Sequence, residues 1–190
     1  MLDKSVPYAG LFMRREAGEG KPSYELPEGF QFAFFSDGSE ADWARIEASV
    51  LEFDGEFAAL MFFKRTFIPH IDELYRRCVF VETSDGVKVA TTTAWWSDSY
   101  EVRKPWIMWV AVDPKYQGLG LGRAIIARAT VLMIELEGDL PIYLRTQTWS
   151  HKAIGIYQTY GYFPTAEKSL YSDSSDNYRK AMRILKRLNR

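Results

Sequence analysis

The run Val110-Ala-Val-Asp-Pro-Lys-Tyr-Gln117-Gly-Leu-Gly120-Leu-Gly122-Arg123 carries the residue types best suited to chemistry in this chain. An apolar stretch ends at Val112, Asp113-Pro114 turns the chain, and Gly118, Gly120 and Gly122 alternate with Leu119 and Leu121 as a helix begins. Glycine lets the backbone come within hydrogen-bond range of a ligand. The first-turn N–H groups of a helix have no internal partner and sit at the positive end of its dipole. Together these features make a cradle for phosphate, to which Arg123 can add a guanidinium. Close packing of helix on strand accounts for the same glycines, and composition alone does not separate the two readings.

Spacing narrows the ligand. A dinucleotide fingerprint needs Gly-x-Gly-x-x-Gly directly after a strand, whereas here the third glycine comes one residue early and the loop is long. The Gly-Lys-Ser/Thr of a nucleotide P-loop is absent. A second segment, Ala153-Ile-Gly-Ile-Tyr157-Gln-Thr-Tyr160-Gly161-Tyr162, reads as a short helix closed by a left-handed glycine. Its helical part presents two phenols, Tyr157 and Tyr160, either of which could be an ordinary amphipathic packing residue.

Around these segments the elements follow from pattern. Residues 1–29, rich in glycine, proline and charge, read as an N-terminal arm with a short strand near Tyr8 to Met13. Residues 30–190 read as one domain. Phe30 to Phe35 suits a strand. Ser39-Glu-Ala-Asp42 fits a capped helix start, with Trp43, Ile46 and Val50 on its apolar stripe. A second helix spans about 55–67, stopped by Pro69, with a further turn or two over 70–77. Cys78 to Glu82 and Val87 to Trp96 are strands joined at Asp85-Gly86. Further strands are expected over 106–112 and 142–148, and helices over 118–136, 150–160 and 173–188. Strands early, then strand–helix–strand–helix, imply an α/β fold with a mixed sheet and helices on both faces.

Composition excludes several classes. Hydrophobic residues make up 47% of the chain, enough for a packed core. Lys plus Arg is 24 against 25 for Asp plus Glu, a net charge of −1, which argues against a nucleic-acid or polybasic membrane surface. The six bases from Arg179 to Arg190 lie opposite Met182, Leu185 and Leu188, as on a docked surface helix. One cysteine, Cys78, and two distant histidines, His70 and His151, form no disulfide framework and no metal-ligand motif. No membrane span or secretory signal is evident, so a cytoplasmic location is expected.

Gln117-Gly-Leu-Gly120-Leu-Gly122 resembles the Gln/Arg-x-x-Gly-x-Gly/Ala signature of the GNAT superfamily of N-acetyltransferases. The segment Ala153 to Tyr162 is similar to that family's late helix, Ala-x-x-x-Tyr-x-x-x-Gly-Phe/Tyr, and it comes in the right order. The resemblance is strongest over residues 106–164. It implies acetyl-CoA or another acyl-CoA as cosubstrate, without a metal, and a primary amine of a small molecule or peptide as acceptor. Backbone groups from Gln117 to Arg123 (Gln117, Gly118, Leu119, Gly120, Leu121, Gly122 and Arg123) would hold the pyrophosphate. Val110 and Val112 would pair with the pantetheine arm, and the Val110 N–H would face the oxyanion. Tyr157 would be the general acid that protonates the leaving thiolate.

The chain departs from that pattern in two places. The strand Trp106 to Val112 has no glutamate to act as base, which leaves Glu101, Asp98 or His70 acting through water. Ser150 stands where the family often has Asn; it can cap the helix but offers no amide to CoA. His151 beside it could reach a phosphate. Trp95, Trp96 and Trp109 are candidate walls for the acceptor, with Phe53, Phe57, Phe62 and Phe63 able to complete them and Glu52 or Glu56 able to hold an ammonium. Adjacent Trp95 and Trp96 are expected on opposite faces of a strand. A non-catalytic acyl-CoA sensor on the same fold is the alternative function. An exposed aromatic strand edge would make a homodimer unsurprising.

Overall fold

In the computed structural model, which describes residues 2–97, 103–167 and 176–188, seven strands form one sheet. In chain order the elements are β1 (Gly10–Arg15), β2 (Phe30–Phe34), α1 (Ser39–Ser49), α2 (Glu56–Thr66), α3 (Ile71–Arg77), β3 (Cys78–Thr83), β4 (Lys88–Ser97), β5 (Lys104–Val112), α4 (Leu121–Glu137), β6 (Ile142–Gln147), α5 (His151–Thr159), β7 (Phe163–Thr165) and α6 (Asp176–Leu188). The sheet order is β2-β3-β4-β5-β6-β1-β7. β2 through β5 are antiparallel, β5 and β6 are parallel, and β6, β1 and β7 are antiparallel again. The mixed sheet expected from the element pattern is present.

Helices cover both faces. On one, α4 buries Ile126, Ala129, Leu132 and Met133 against Val79, Ala94, Ile107 and Leu144, and Ala181 and Leu185 of α6 join the same core. The apolar stripe of α4 sits where its periodicity placed it. On the other face Trp43, Ile46 and Val50 of α1 and Ala59, Phe63 and Phe67 of α2 and its end pack over Phe35, Cys78, Phe80 and Trp95.

The segment 1–29 contributes an interior strand rather than a free arm. β1 lies between β6 and β7, pairing Leu11 with Thr146 and Met13 with Leu144 on one side and Met13 with Pro164 on the other. Leu11 and Met13 are buried while Phe12 and Arg14 point to the opposite face, the alternation of a strand with one fully packed side. Residues 3–9 then run beside the start of α5. Trp149 Nε1 donates to the Val6 carbonyl (2.7 Å), the Thr148 hydroxyl donates to the Pro7 carbonyl (2.6 Å), and Asp3 N–H donates to the Trp149 carbonyl (2.9 Å). At the other end of α5, buried Arg15 donates through Nε to the Tyr160 carbonyl (2.9 Å), a cation at a helix C-terminus. The N-terminal thirty residues thereby clamp both ends of the helix that carries Tyr157.

Two details of local sequence chemistry differ from expectation. Ser39 is the first helical residue, not the cap. Gly38 takes the cap position with φ 92°, and the Ser39 hydroxyl turns back to accept from Ser36 N–H. Ser150 occupies the cap position of α5, but its hydroxyl makes no cap hydrogen bond, because a 3₁₀ turn at Thr148–Ser150 feeds the helix directly.

Candidate active site

β5 and β6 make the site by parting. They pair only at Trp106 with Tyr143 and Ile107 with Leu144, and beyond Ile107 the ladder ends. On its other edge β5 carries a bulge: Thr91 faces Ala111 and Thr93 faces Met108, so Trp109 and Val110 together oppose Thr92. Trp109 takes φ 55° there, a left-handed conformation that a bulky residue adopts only when its surroundings hold it. A groove of about 700 Å³ opens alongside, walled by Val110, Ala111 and Val112 of β5, the loop to α4 and the start of α5.

The phosphate cradle has the form its glycines require. Gly118 and Gly120 have φ 86° and 88°, a backbone that side chains rarely adopt. The Gly120 carbonyl accepts from the N–H groups of Arg123 (3.0 Å) and Ala124 (3.2 Å), so the N–H groups of Leu121 and Gly122 precede the first helical bond. Gly122 faces Ile156 and Val112, and Gly120 lies against the Tyr24 hydroxyl. Gln117, Gly118, Gly120, Leu121, Gly122, Arg123 and Ser150 all line the groove; Leu119 is exposed outside it. The Gln117 side chain is engaged with the strand end, donating to the Val112 carbonyl (2.9 Å). Backbone amides, a helix terminus, Arg123 and Lys152 on one groove suit a diphosphate.

His151 lines the groove as well, with Nε2 3.2 Å from Asp3 Oδ2. Asp3 and Leu2 form part of the wall, a contribution from the N-terminal segment that no motif announced.

Tyr157 is buried in the core that includes Ile107 and Leu144, the last pair joining β5 and β6; it packs edge-on to Tyr162 and does not itself line the groove. Burial, with the neighbouring Tyr162, Glu47 and Glu52, holds its phenol well above the ordinary range. The hydroxyl therefore enters any reaction protonated. Tyr160 is half-exposed near Arg123 and Tyr24. Burial pushes the Cys78 thiol up to about 12, so it is a packing residue and not a nucleophile.

The tryptophans divide. Trp95 and Trp96 do not face opposite sides: their rings stack at 4.2 Å and 11°. Trp96 lies opposite Pro105, which has no N–H to hold the ladder, one residue before β4 ends, and Arg103 (4.3 Å) and Arg77 (5.2 Å) draw the Trp96 ring round. His70 closes this group at 5.6 Å from Trp96, away from the groove. Trp109 instead stacks on Phe53 (5.2 Å) and meets Phe62 (4.8 Å) and Trp43 (5.5 Å) beside the gap. Phe57 points to solvent and Phe63 is fully buried. Glu52 stands on the groove rim, where its Oε1 accepts from Gln147 Nε2 (3.0 Å); Glu56 lines a separate shallow hollow with Arg45 and Asp113. Glu101 and Asp98 lie outside the described residues.

One group escaped the sequence reading. Glu47 is 1% exposed, its Oε1 has no hydrogen-bond partner, and burial together with Glu52 raises its carboxyl well above the usual range. The signal was present as an acid on an apolar stripe, four residues after Trp43 and three before Val50. Among the described residues no cluster of three or more His, Cys, Asp and Glu could hold a metal, and no helix is long and apolar enough to cross a membrane.

Comparison with known proteins agrees with this geometry. Residues 41–162, more than half the chain, match the family model for the acetyltransferase (GNAT) family. The chain belongs to that family. Among solved structures it is similar to a GCN5-related N-acetyltransferase from Sphaerobacter thermophilus, at 18% identity and TM-score 0.67, over 84% of this chain and 49% of that one. It is also similar to a GNAT-family acetyltransferase from Colwellia psychrerythraea (14%, TM-score 0.57, 86% and 55%) and to a conserved protein of unknown function from Staphylococcus epidermidis (15%, 0.57, 84% and 59%). The chain thus spans about half to three-fifths of the length of these chains. No curated protein sequence matches it.

Proposed function

We propose that the protein is an acetyl-CoA-dependent N-acetyltransferase acting on a primary amine of a small molecule or peptide. One observation carries this reading. The parted strands β5 and β6 open onto a groove whose floor is the left-handed glycine cradle at Gly118 and Gly120. A diphosphate at the cradle and an acyl chain along β5 fit one extended ligand, and CoA has that shape.

Bound acetyl-CoA supplies an activated acetyl thioester. The chain supplies the rest. Leu121 and Gly122 N–H groups, Arg123 and the α4 dipole hold the diphosphate. The β5 edge from Val110 to Val112 orients the pantetheine by strand-like pairing. The bulge at Trp109–Val110 takes the Val110 amide out of regular register, where it can donate to an oxyanion. Tyr157, held protonated, donates toward the sulfur as thiolate forms. The aromatic group Trp43, Phe53, Phe62 and Trp109 borders the acceptor side and suits an apolar or aromatic amine.

Calorimetric titration with CoA and a thiol-release assay with acetyl-CoA and a panel of amines test the proposal. Saturable binding with amine-dependent thiol release is expected. Binding without release for any amine would leave an acyl-CoA sensor instead.

A further inference from the structure

Among the described residues Glu47 is the one buried carboxyl, and no hydrogen bond or ion pair accounts for its Oε1. Buried charged groups in folded proteins are paired almost without exception, and an orphan at this depth is costly unless it has a task. The other deeply buried ionic groups each have partners, although Arg15 Nη1 is itself unpaired. Arg77 is paired with Glu73 and Glu137, and Arg15 donates to backbone carbonyls. Glu47 Oε1 has nothing.

Its position is defined from three sides. On α1 it lies one turn beyond Trp43, whose ring meets Trp109 at the β5 bulge, and one turn before Val50, which lines the groove. Beneath it the sheet presents Cys78, Thr91 and Thr93, which face α1 from β3 and β4. On the opposite face of the sheet Tyr157 packs in the core that includes Ile107 and Leu144, the last pair joining β5 and β6, and the two groups act on each other electrostatically. The titratable groups facing Glu47 are therefore Glu52 from the α1–α2 loop, Cys78 from β3 and Tyr157 from α5. None of them is a cation that would fix it as a structural ion pair. Glu52 is exposed and already bonded to Gln147, and His70 stands away at the Trp95–Trp96 stack.

We propose that Glu47, supplied by helix α1 in place of a glutamate on the β5 strand, is the general base that takes the proton from the acceptor ammonium, directly or through one water. The inference rests on the transferase reading above. An R–NH₃⁺ acceptor gives one proton to the Glu47 carboxylate and becomes R–NH₂. Its lone pair forms the C–N bond to the thioester carbon, and the C–S bond breaks with its electron pair going to sulfur. Tyr157 protonates the thiolate and is reprotonated by the second N–H proton of the new amide nitrogen. Products are R–NH–COCH₃, CoA–SH and one proton on Glu47, which leaves to solvent past Glu52 at the rim. Burial raises the Glu47 carboxyl, and a carboxylate so raised is a stronger base than an exposed one, which suits this task.

The test compares wild type, Glu47→Gln and Glu47→Asp with acetyl-CoA and phenethylamine, hexylamine or a tripeptide with a free N-terminus. For wild type, kcat/KM should rise with pH to a plateau set by the base. For Glu47→Gln it should fall about 100-fold at pH 7.5, lose the plateau and climb instead toward the amine's own pKa, about 10 for the two alkylamines and about 8 for the tripeptide, while calorimetric CoA affinity stays unchanged. Glu47→Asp, with its carboxylate drawn back one methylene, should keep the plateau at a reduced rate. An active wild type with an unaltered rate and profile in Glu47→Gln overturns the base and leaves the transferase reading standing. Should Glu47→Gln fail to fold, a rate unchanged in Glu47→Asp overturns the base equally. CoA binding by wild type without transfer to any amine removes the transferase reading, and the base with it.

Discussion

The two sides of the proposed site are built from different material. The cradle wall is backbone: two left-handed positions and a helix terminus within seven residues of chain. The proposed acceptor side is side chains from four places, behind the groove lining itself, with α1 giving Trp43 and Glu47, the next loop Phe53, α2 Phe62, and β5 Trp109. Both walls contain left-handed residues. On the cradle they are glycines, Gly118 and Gly120; on the acceptor side they are Leu51 (φ 70°) and Trp109 (φ 55°). A wall made of amides demands glycine and a fixed spacing. A wall made of side chains demands only that distant residues converge.

The largest expected effect separates the walls by affinity. A Cβ at Gly122 meets Ile156 and Val112 only at ordinary contact, 3.6 and 3.9 Å, and the backbone there is helical. Gly122→Val therefore fills the cradle without straining the chain, and CoA affinity by calorimetry should drop about 100-fold with the melting temperature little changed. Gly120→Val is a less clean probe, since its Cβ would meet the Tyr24 hydroxyl at 2.6 Å and the backbone is left-handed. Retained affinity in Gly122→Val would break the comparison, because the cradle would then not hold the ligand.

Next comes a change that should leave affinity alone. Tyr157→Phe keeps the ring packed against Tyr162 and removes only the hydroxyl. Turnover should fall about 100-fold, with calorimetric CoA affinity within about twofold of wild type, which is about 0.4 kcal/mol. Unchanged turnover at saturating amine would remove Tyr157 from the proton path.

These contrasts explain what the sequence made legible. The glycine loop, the order of elements after Phe30 and the Tyr157 helix are local, each depending on residues within one turn or one loop, so pattern exposes them; choosing a phosphate cradle over close packing took two family-like segments in the right order. The interior place of β1 is not local. Gly10 to Arg15 has the alternation of a strand, but its partners lie more than 125 residues away, at Ile142 to Gln147 and at Phe163 to Thr165. The clamp that residues 3–9 place on α5 is hidden for the same reason. The Trp95–Trp96 stack depends on Arg77 and Arg103 arriving from other elements. Glu47 was legible in principle, since its neighbours on the helix stripe are Trp43 and Val50. A motif search passes over it, because the family's base is looked for on a strand.

Glu47 also makes the acceptor wall pH-sensitive in a way the cradle is not. Its folded-state pKa is raised by burial, so the folded chain holds that proton more tightly than the unfolded one. The stability it permits is fully present below the unfolded value of about 4.3 and is lost as pH rises through the folded value. Glu47→Gln removes this loss. Urea unfolding at pH 5, 7 and 9 should show the variant gaining on wild type as pH rises. A constant difference across that range would mean that Glu47 has no raised pKa.

The smallest effect tests the left-handed contrast itself. Leu51 is 47% exposed and held at φ 70°, so little packing offsets its strain. Asn tolerates that conformation far better than Leu. Leu51→Asn should stabilise the fold by about 0.5–1 kcal/mol, read as a rise in the urea midpoint with unchanged slope. Trp109→Asn relieves a similar backbone strain but empties a ring seated against Trp43, Phe53 and Phe62, a loss of about 3–5 kcal/mol. Relief should therefore win at Leu51 and lose at Trp109. If both variants destabilise, Leu51 is held by contacts as Trp109 is, and the acceptor wall is rigid along its whole length. The opposed signs would instead leave its outer loop as the part free to adapt to an amine.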